Sequence, residues 1–206
     1  HTANTASIKL NSNVVTEFPR SKKLIKYPRV AMTSGQSGLN AGYTQDGYTI
    51  QVSSEWGGVH MASNAFNNIQ TYQTTDHAWL SSNNPDRYTP STGMATTADT
   101  FQDVNGSWIG LTLPEKIKLS SVHLYNRRDT SSVRPARKGI VWGSDGGSTW
   151  YRLKDFTNGS VDGALNVITV ESGILYDQFR VQITEMHNNP QKDAVAIGEL
   201  EFYGVP

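Results

Sequence analysis

From about residue 43 onward, apolar and polar positions alternate with a period of two. Tyr48-Thr49-Ile50-Gln51-Val52-Ser53 places large apolar side chains on every second position, the pattern of a strand that buries one face. The pattern recurs in 108–113, where it stops at Pro114, and in 122–125, 139–142, 150–153, 165–170, 178–183 and 199–203. Between these runs stand Asp145-Gly146-Gly147, Asn158-Gly159 and Asp162-Gly163, which predict turns because Asn, Asp and Gly tolerate positive φ. Short strands at this spacing predict an all-β fold, an antiparallel jelly-roll β-sandwich with little helix. One short helical turn is predicted around Ala62 to Asn68, with Met61, Ala65 and Phe66 inward. The polar stretch from Ser81 to Asp103, with Pro85 and Pro90, reads as ordered loop.

Composition adds the means to build a core. Hydrophobic residues make up only 36% of 206, but they include five Trp, nine Tyr and six Phe, which bury much area each. With no Cys, disulfides and thiolate metal sites are excluded. A formal net charge of zero argues against a nucleic-acid partner that works by broad phosphate neutralisation. No apolar run reaches the roughly 18 residues of a membrane span. Charge is unevenly spread: residues 1–29 hold Lys9, Arg20, Lys22, Lys23, Lys26 and Arg29 against Glu17 alone. That asymmetry predicts a basic N-terminal extension or linker over 1–29 and a folded domain over 30–206. The opening at His1 rather than Met reads as a fragment excised from a longer chain.

Catalytic motifs are missing from the linear sequence: it has no GxSxG, HExxH, Walker A or EF-hand loop. His123, His187, Asp129, Glu185 and Asp193 are the groups from which an acid/base pair would have to be assembled. Structural or surface roles account for each more simply. His123 lies between Val122 and Leu124 and points away from both.

Five blocks carry a family resemblance. They are Gly106-Ser107-Trp108-Ile109-Gly110-Leu111-Thr112-Leu113-Pro114, then 118–127, then Arg134-Pro135-Ala136-Arg137-Lys138, then 143–150, and finally 197–204. In this order they resemble the discoidin-like domain, also called the F5/8 type C or galactose-binding-like domain. The resemblance spans roughly residues 45–204. It implies a jelly roll with binding loops at one end, no catalysis, and occurrence as a module of larger extracellular proteins. Tyr27-Pro28-Arg29-Val30-Ala31-Met32-Thr33 also resembles the lead-in of such domains in virion proteins of large algal DNA viruses.

Position by position, the resemblance points to two sites. A structural calcium in sugar-binding relatives is held near an Ala-(Phe/Ile)-Asp-Gly stretch and a Glu on the final strand. Here Asn67 and Glu199 stand at those positions, and the Asn and His77 replacements leave little of the charged oxygen that calcium prefers. The sugar site uses an Arg after a later strand and an aromatic platform, while Leu80 stands where galactose binders carry a His. The residues expected to grip a glycan are Arg127, Arg128, Asp129 and Arg134, with Trp56 or Tyr88 as stacking surface and His77 or His187 at the rim. An Arg fork bridges adjacent hydroxyls and an aromatic ring stacks on a sugar's C–H face. Arg134 and Arg137 fit a loop-bracing role equally, and Trp79, Trp108, Trp142 and Trp150 are assigned to packing. The implied function is a non-catalytic module for cell-surface or cell-wall glycan, extracellular or on a virion surface, without membrane insertion. A structural interaction module and a polysaccharide lyase or hydrolase domain are the alternatives. Self-association and neighbouring domains of a parent protein stay open as partners.

Overall fold

The computed structural model describes residues 8–9, 15–16, 23–33, 43–70, 78–82, 84–127, 134–159, 164–187 and 193–206. Among the described residues fourteen strands run in chain order. They are β1 (Ile8–Lys9), β2 (Val15–Thr16), β3 (Ile25–Tyr27), β4 (Tyr43–Gln45), β5 (Tyr48–Val52), β6 (Trp79–Leu80), β7 (Thr100–Phe101), β8 (Val104–Asn105), β9 (Ser107–Asn126), β10 (Ala136–Ser144), β11 (Tyr151–Thr157), β12 (Leu165–Thr169), β13 (Leu175–Met186) and β14 (Ala196–Val205). Among the same residues one 3₁₀ turn spans Ala62–Phe66 and buries Ala62, Ser63, Ala65 and Phe66. The fold is an antiparallel β-sandwich, as the alternation predicts.

β9 builds both layers. Its first half pairs with β5 and β13, and β10 and β11 continue outward from β13. Its second half pairs with β12 and β14, and β14 carries β3 and β6. Pro114 does not end the strand. It falls where the β13 register shifts between Tyr176 and Gln178, a place that requires no ladder donor from the imide nitrogen. Inward positions alternate as expected. Ile109 and Leu111 of β9, Phe179, Val181 and Ile183 of β13, and Leu200 and Phe202 of β14 are all at most 1% exposed. Phe179 of one layer stacks on Phe202 of the other with ring centroids 5.5 Å apart.

The structure departs from two expectations. Residues Ile25–Tyr27 belong to the sandwich: Tyr27 pairs with Phe202 and is fully buried. The periodicity is invisible because only three residues are involved. Of the four tryptophans assigned to packing, Trp79 alone lies in the core between the layers. Trp108, Trp142 and Trp150 gather with Phe101 on the outer face of the larger layer. The Arg180 guanidinium lies 3.8 Å from the Trp108 ring centroid, 4.2 Å from Trp150 and 4.4 Å from Phe101. Burial among these rings lowers its pKa to about 10, and cation–π attraction offsets part of the lost hydration. Gly110 beneath it is required: a Cβ there would come within 2.7 Å of both Arg180 Cγ and the Phe179 carbonyl oxygen. His123 points away from Val122 and Leu124 as expected, but its ring is half-buried, packed 4.2 Å from Tyr203.

Candidate functional site at the loop end of the sandwich

Four connections meet at one end of the sandwich: the segment after β5, the chain around β6, the β9–β10 connection and the β13–β14 connection. Their backbones are tied to each other. Trp56 N–H donates to the Leu80 carbonyl (2.9 Å), Ala196 N–H to the Arg134 carbonyl (2.9 Å), and His187 N–H to the Pro135 carbonyl (3.1 Å). Residues far apart in sequence thereby share one surface.

Trp56 is 40% exposed on this surface. The turn at Gly57, closed by a His60 N–H to Gly57 carbonyl bond of 3.2 Å, brings His60 back edge-on to the Trp56 ring at 6.4 Å. The guanidinium of Arg134 sits 5.2 Å from the same ring's centroid. It is fixed there by Asp193, whose Oδ1 accepts from Nε at 2.9 Å and whose Oδ2 accepts from Nη2 at 3.2 Å. Burial pushes the Asp193 carboxyl up, but the hydrogen bonds and charge of Arg134, with the nearby backbone N–H groups, outweigh it and hold the group below its ordinary range. Arg134 is thus both brace and ring partner, with one edge of its fork already spent on a carboxylate. Arg127 is 3% exposed, and its position fits an anchoring role better than a free grip.

Beneath the surface lies a network that the sequence did not reveal. Asp99 Oδ2 accepts from the hydroxyls of Ser53 (3.0 Å), Ser54 (2.7 Å) and Ser107 (2.7 Å), and Oδ1 stands 3.1 Å from Arg87 Nε. The pair is almost completely buried, so its value lies in being fully satisfied. It holds the 81–103 connection against the strand ends that carry Trp56. No linear signal marks it, since Arg87, Asp99 and the serines follow no spacing rule.

The remaining expected residues divide into three groups. Arg128, Asp129 and His77 lie outside the described residues. Tyr88 is corrected: it is fully buried, donates its hydroxyl to the Ile183 carbonyl (3.0 Å) and has its pKa raised by burial, so it offers no stacking surface. His187 is half-buried beside Pro135, with its Nε2 enclosed and without a hydrogen-bond partner in the structure.

The calcium expectation is tested by Asn67 and Glu199. Glu199 Oε1 accepts from Asn68 N–H (3.2 Å), while the buried Oε2 has no partner. Burial pushes this carboxyl up to about 8, against the opposing pull of the Asn68 N–H. Asn67, by contrast, turns its Oδ1 to Ile69 N–H (2.9 Å). Calcium takes six to eight oxygens, several of them charged. Among the described residues no group of three or more acidic, His or Cys side chains stands together. The described donor set does not fit calcium.

No family model matches the sequence, and no curated protein matches it. Solved structures do match in shape. The family 32 carbohydrate-binding module of C. perfringens NanJ, solved with galactose, aligns with a TM-score of 0.54 at 18% identity, over 76% of this chain and 93% of that one. The C-terminal domain of a chitobiase from Bacteroides fragilis aligns at 0.55 and 15% identity, over 80% and 97%. Chitosan-binding module 1 of a chitosanase/glucanase from Paenibacillus sp. IK-5 aligns at 0.52 and 21% identity, over 77% and 96%. Likeness at these identities shows the fold alone, an antiparallel β-sandwich like that of these modules.

Proposed function

We propose that this chain is a non-catalytic carbohydrate-binding module of a larger extracellular protein, taking cell-surface or cell-wall glycan at the loop end of the sandwich. The observation that carries the reading is the exposed Trp56 ring held between His60 and an Arg134 that is itself locked by Asp193. Such a plate supplies area for the C–H face of a sugar with little ordering entropy to lose on binding. The likeness to modules solved with galactose or named for chitosan supports the ligand class. Leu80 is fully covered and offers no donor to an axial hydroxyl, so galactose selectivity is not part of the proposal. None of the three reported structures is viral, and a virion setting rests on the 27–33 segment alone. No helix among the described residues is long and apolar enough to cross a membrane.

The expected outcome is retention on cell-wall polysaccharide in affinity electrophoresis, weakened about tenfold in Trp56→Ala, as loss of an aromatic contact of about 1.4 kcal/mol implies. Equal retention of Trp56→Ala and wild type would move the site elsewhere. A second reading, a module for protein assembly, is favoured by one observation: Leu165 (43%) and Val167 (51%) are exposed on one face of β12. Failure of the wild type to bind any glycan, with self-association abolished by Val167→Lys, would select it.

A further inference from the structure

The outer face of the larger layer carries a cavity of about 400 Å³ between β10, β11 and the β7–β8 hairpin. Its position is independent of the loop end: Lys138 at its border lies four residues beyond Arg134, about 13 Å at strand rise. Gly139 and Ile140 form the floor, Val104 of the hairpin one wall, and Arg152, Asp155 and Thr184 the rim. Residue 139 is held to Gly by the packing beneath the floor, where it pairs with Phe156 of the core. A Cβ there would approach the Gln182 carbonyl oxygen to 2.3 Å and the Phe156 ring to 2.6 Å.

The charged groups at the rim are already engaged in ion pairs. Arg152 donates Nε to Asp155 Oδ1 at 2.7 Å and Nη2 to Oδ2 at 2.9 Å, while its guanidinium also lies 6.0 Å from the Trp142 ring centroid. Lys138 Nζ stands 2.7 Å from Glu185 Oε2, and Arg137 Nη1 2.6 Å from Oε1 of the same carboxylate. An anion entering here would compete with Asp155 and Glu185, and a cation would meet Arg152 and Lys138. A neutral polyol meets neither penalty. Each of its hydroxyls both donates and accepts, and each ion pair offers donor N–H groups beside carboxylate lone pairs. The apolar floor of Ile140 and Val104 suits a ring's C–H face, and the volume lies within the range of small-ligand pockets.

We propose that this cavity is a second carbohydrate subsite, on the sheet face rather than the loops, that takes a neutral pyranose unit. It rests on the glycan-binding reading for the class of ligand but not for the place of binding. With two subsites on one module, longer chains gain by a raised effective concentration of the second contact.

The test is a titration of the labelled protein with galactan and chitin oligomers of rising length, followed by amide and indole NMR shifts. Saturable shifts of Gly139, Ile140 and Thr184 are expected alongside those of the Trp56 indole. The cavity set should weaken about tenfold in Arg152→Ala and in Thr184→Ala, a loss of the size of one or two hydrogen bonds, while the Trp56 signals keep their midpoint. In Trp56→Ala the cavity set should persist. Shifts confined to the loop end, or cavity shifts untouched by both rim variants, overturn the second subsite and leave the loop-end reading intact. Cavity shifts without any loop-end response would instead overturn the loop-end reading alone.

Discussion

Glu199 shows how one buried side chain ties stability to pH. Its carboxyl is fully covered, with one oxygen on a backbone N–H and the other without a partner. The groups around it are Glu201, which disfavours ionisation, and Lys26, which favours it weakly. Near them, Glu201 accepts from the Gln70 amide, with the His123 ring 3.7 Å away. A carboxyl raised from 4.5 to about 8 on folding opposes folding once the unfolded chain ionises and the folded one must follow. Its contribution is neutral below the unfolded value and becomes progressively destabilising as pH rises from 4.5 to about 8. Glu199→Gln is therefore expected to raise the melting temperature at pH 8 and above while changing little near pH 4, with a gain on the order of a few kcal/mol. Melts of both proteins across that range check it. Identical pH profiles would refute the assignment, and a large rise of the wild-type melting temperature in millimolar calcium would show that the carboxylate has a metal to neutralise it.

At the scale of elements, a three-residue strand is as much part of the fold as a twenty-residue one. Ile25–Tyr27 lies along β14, and Tyr27 both fills the core and donates its hydroxyl to Glu115 (2.9 Å) across the chain. Arg29 and Glu115 form an ion pair beside it, and Lys26 reaches Glu201 at 3.4 Å. Two of the positive charges that mark the 1–29 segment in sequence are thus used to fasten it. Tyr27→Ala is expected to cost about 3–5 kcal/mol, as large-to-small changes of buried aromatics do, measured by urea unfolding. A loss below about 1 kcal/mol, the range of surface positions, would return the segment to the status of a linker.

For the whole molecule, the link between layers is what makes a sandwich of two sheets, and Phe179 over Phe202 is its centre. A double-mutant cycle with Phe179→Leu and Phe202→Leu should give a coupling of about 0.5–1.5 kcal/mol in denaturant unfolding, and additivity within error would disprove the contact. The sequence by itself determined the class of fold, because a period of two depends only on local pleating and on which side chains avoid water. Trp56 and Arg134 are legible as loop residues of the right chemistry, but that their side chains meet, with the Arg134 guanidinium 5.2 Å from the Trp56 ring centroid, is not. Tertiary structure decided whatever depends on which face or which distant segment a residue meets. Alternation tells that Trp108 and Trp142 oppose their neighbours, but both faces of the larger layer are apolar in part, so the pattern cannot say that Trp108 packs on Arg180 and Trp142 on Phe101 outside the core. Tyr88 reads as an exposed loop aromatic until its segment is seen to be pinned by Arg87 and Asp99 over the end of the sandwich, where its hydroxyl meets the Ile183 carbonyl. The sheet-face cavity is the extreme case. Lys138, Arg152 and Thr184 sit on three strands whose lateral order is set by pairing between distant segments, and that pairing is a property of the closed sandwich, not of any stretch of chain.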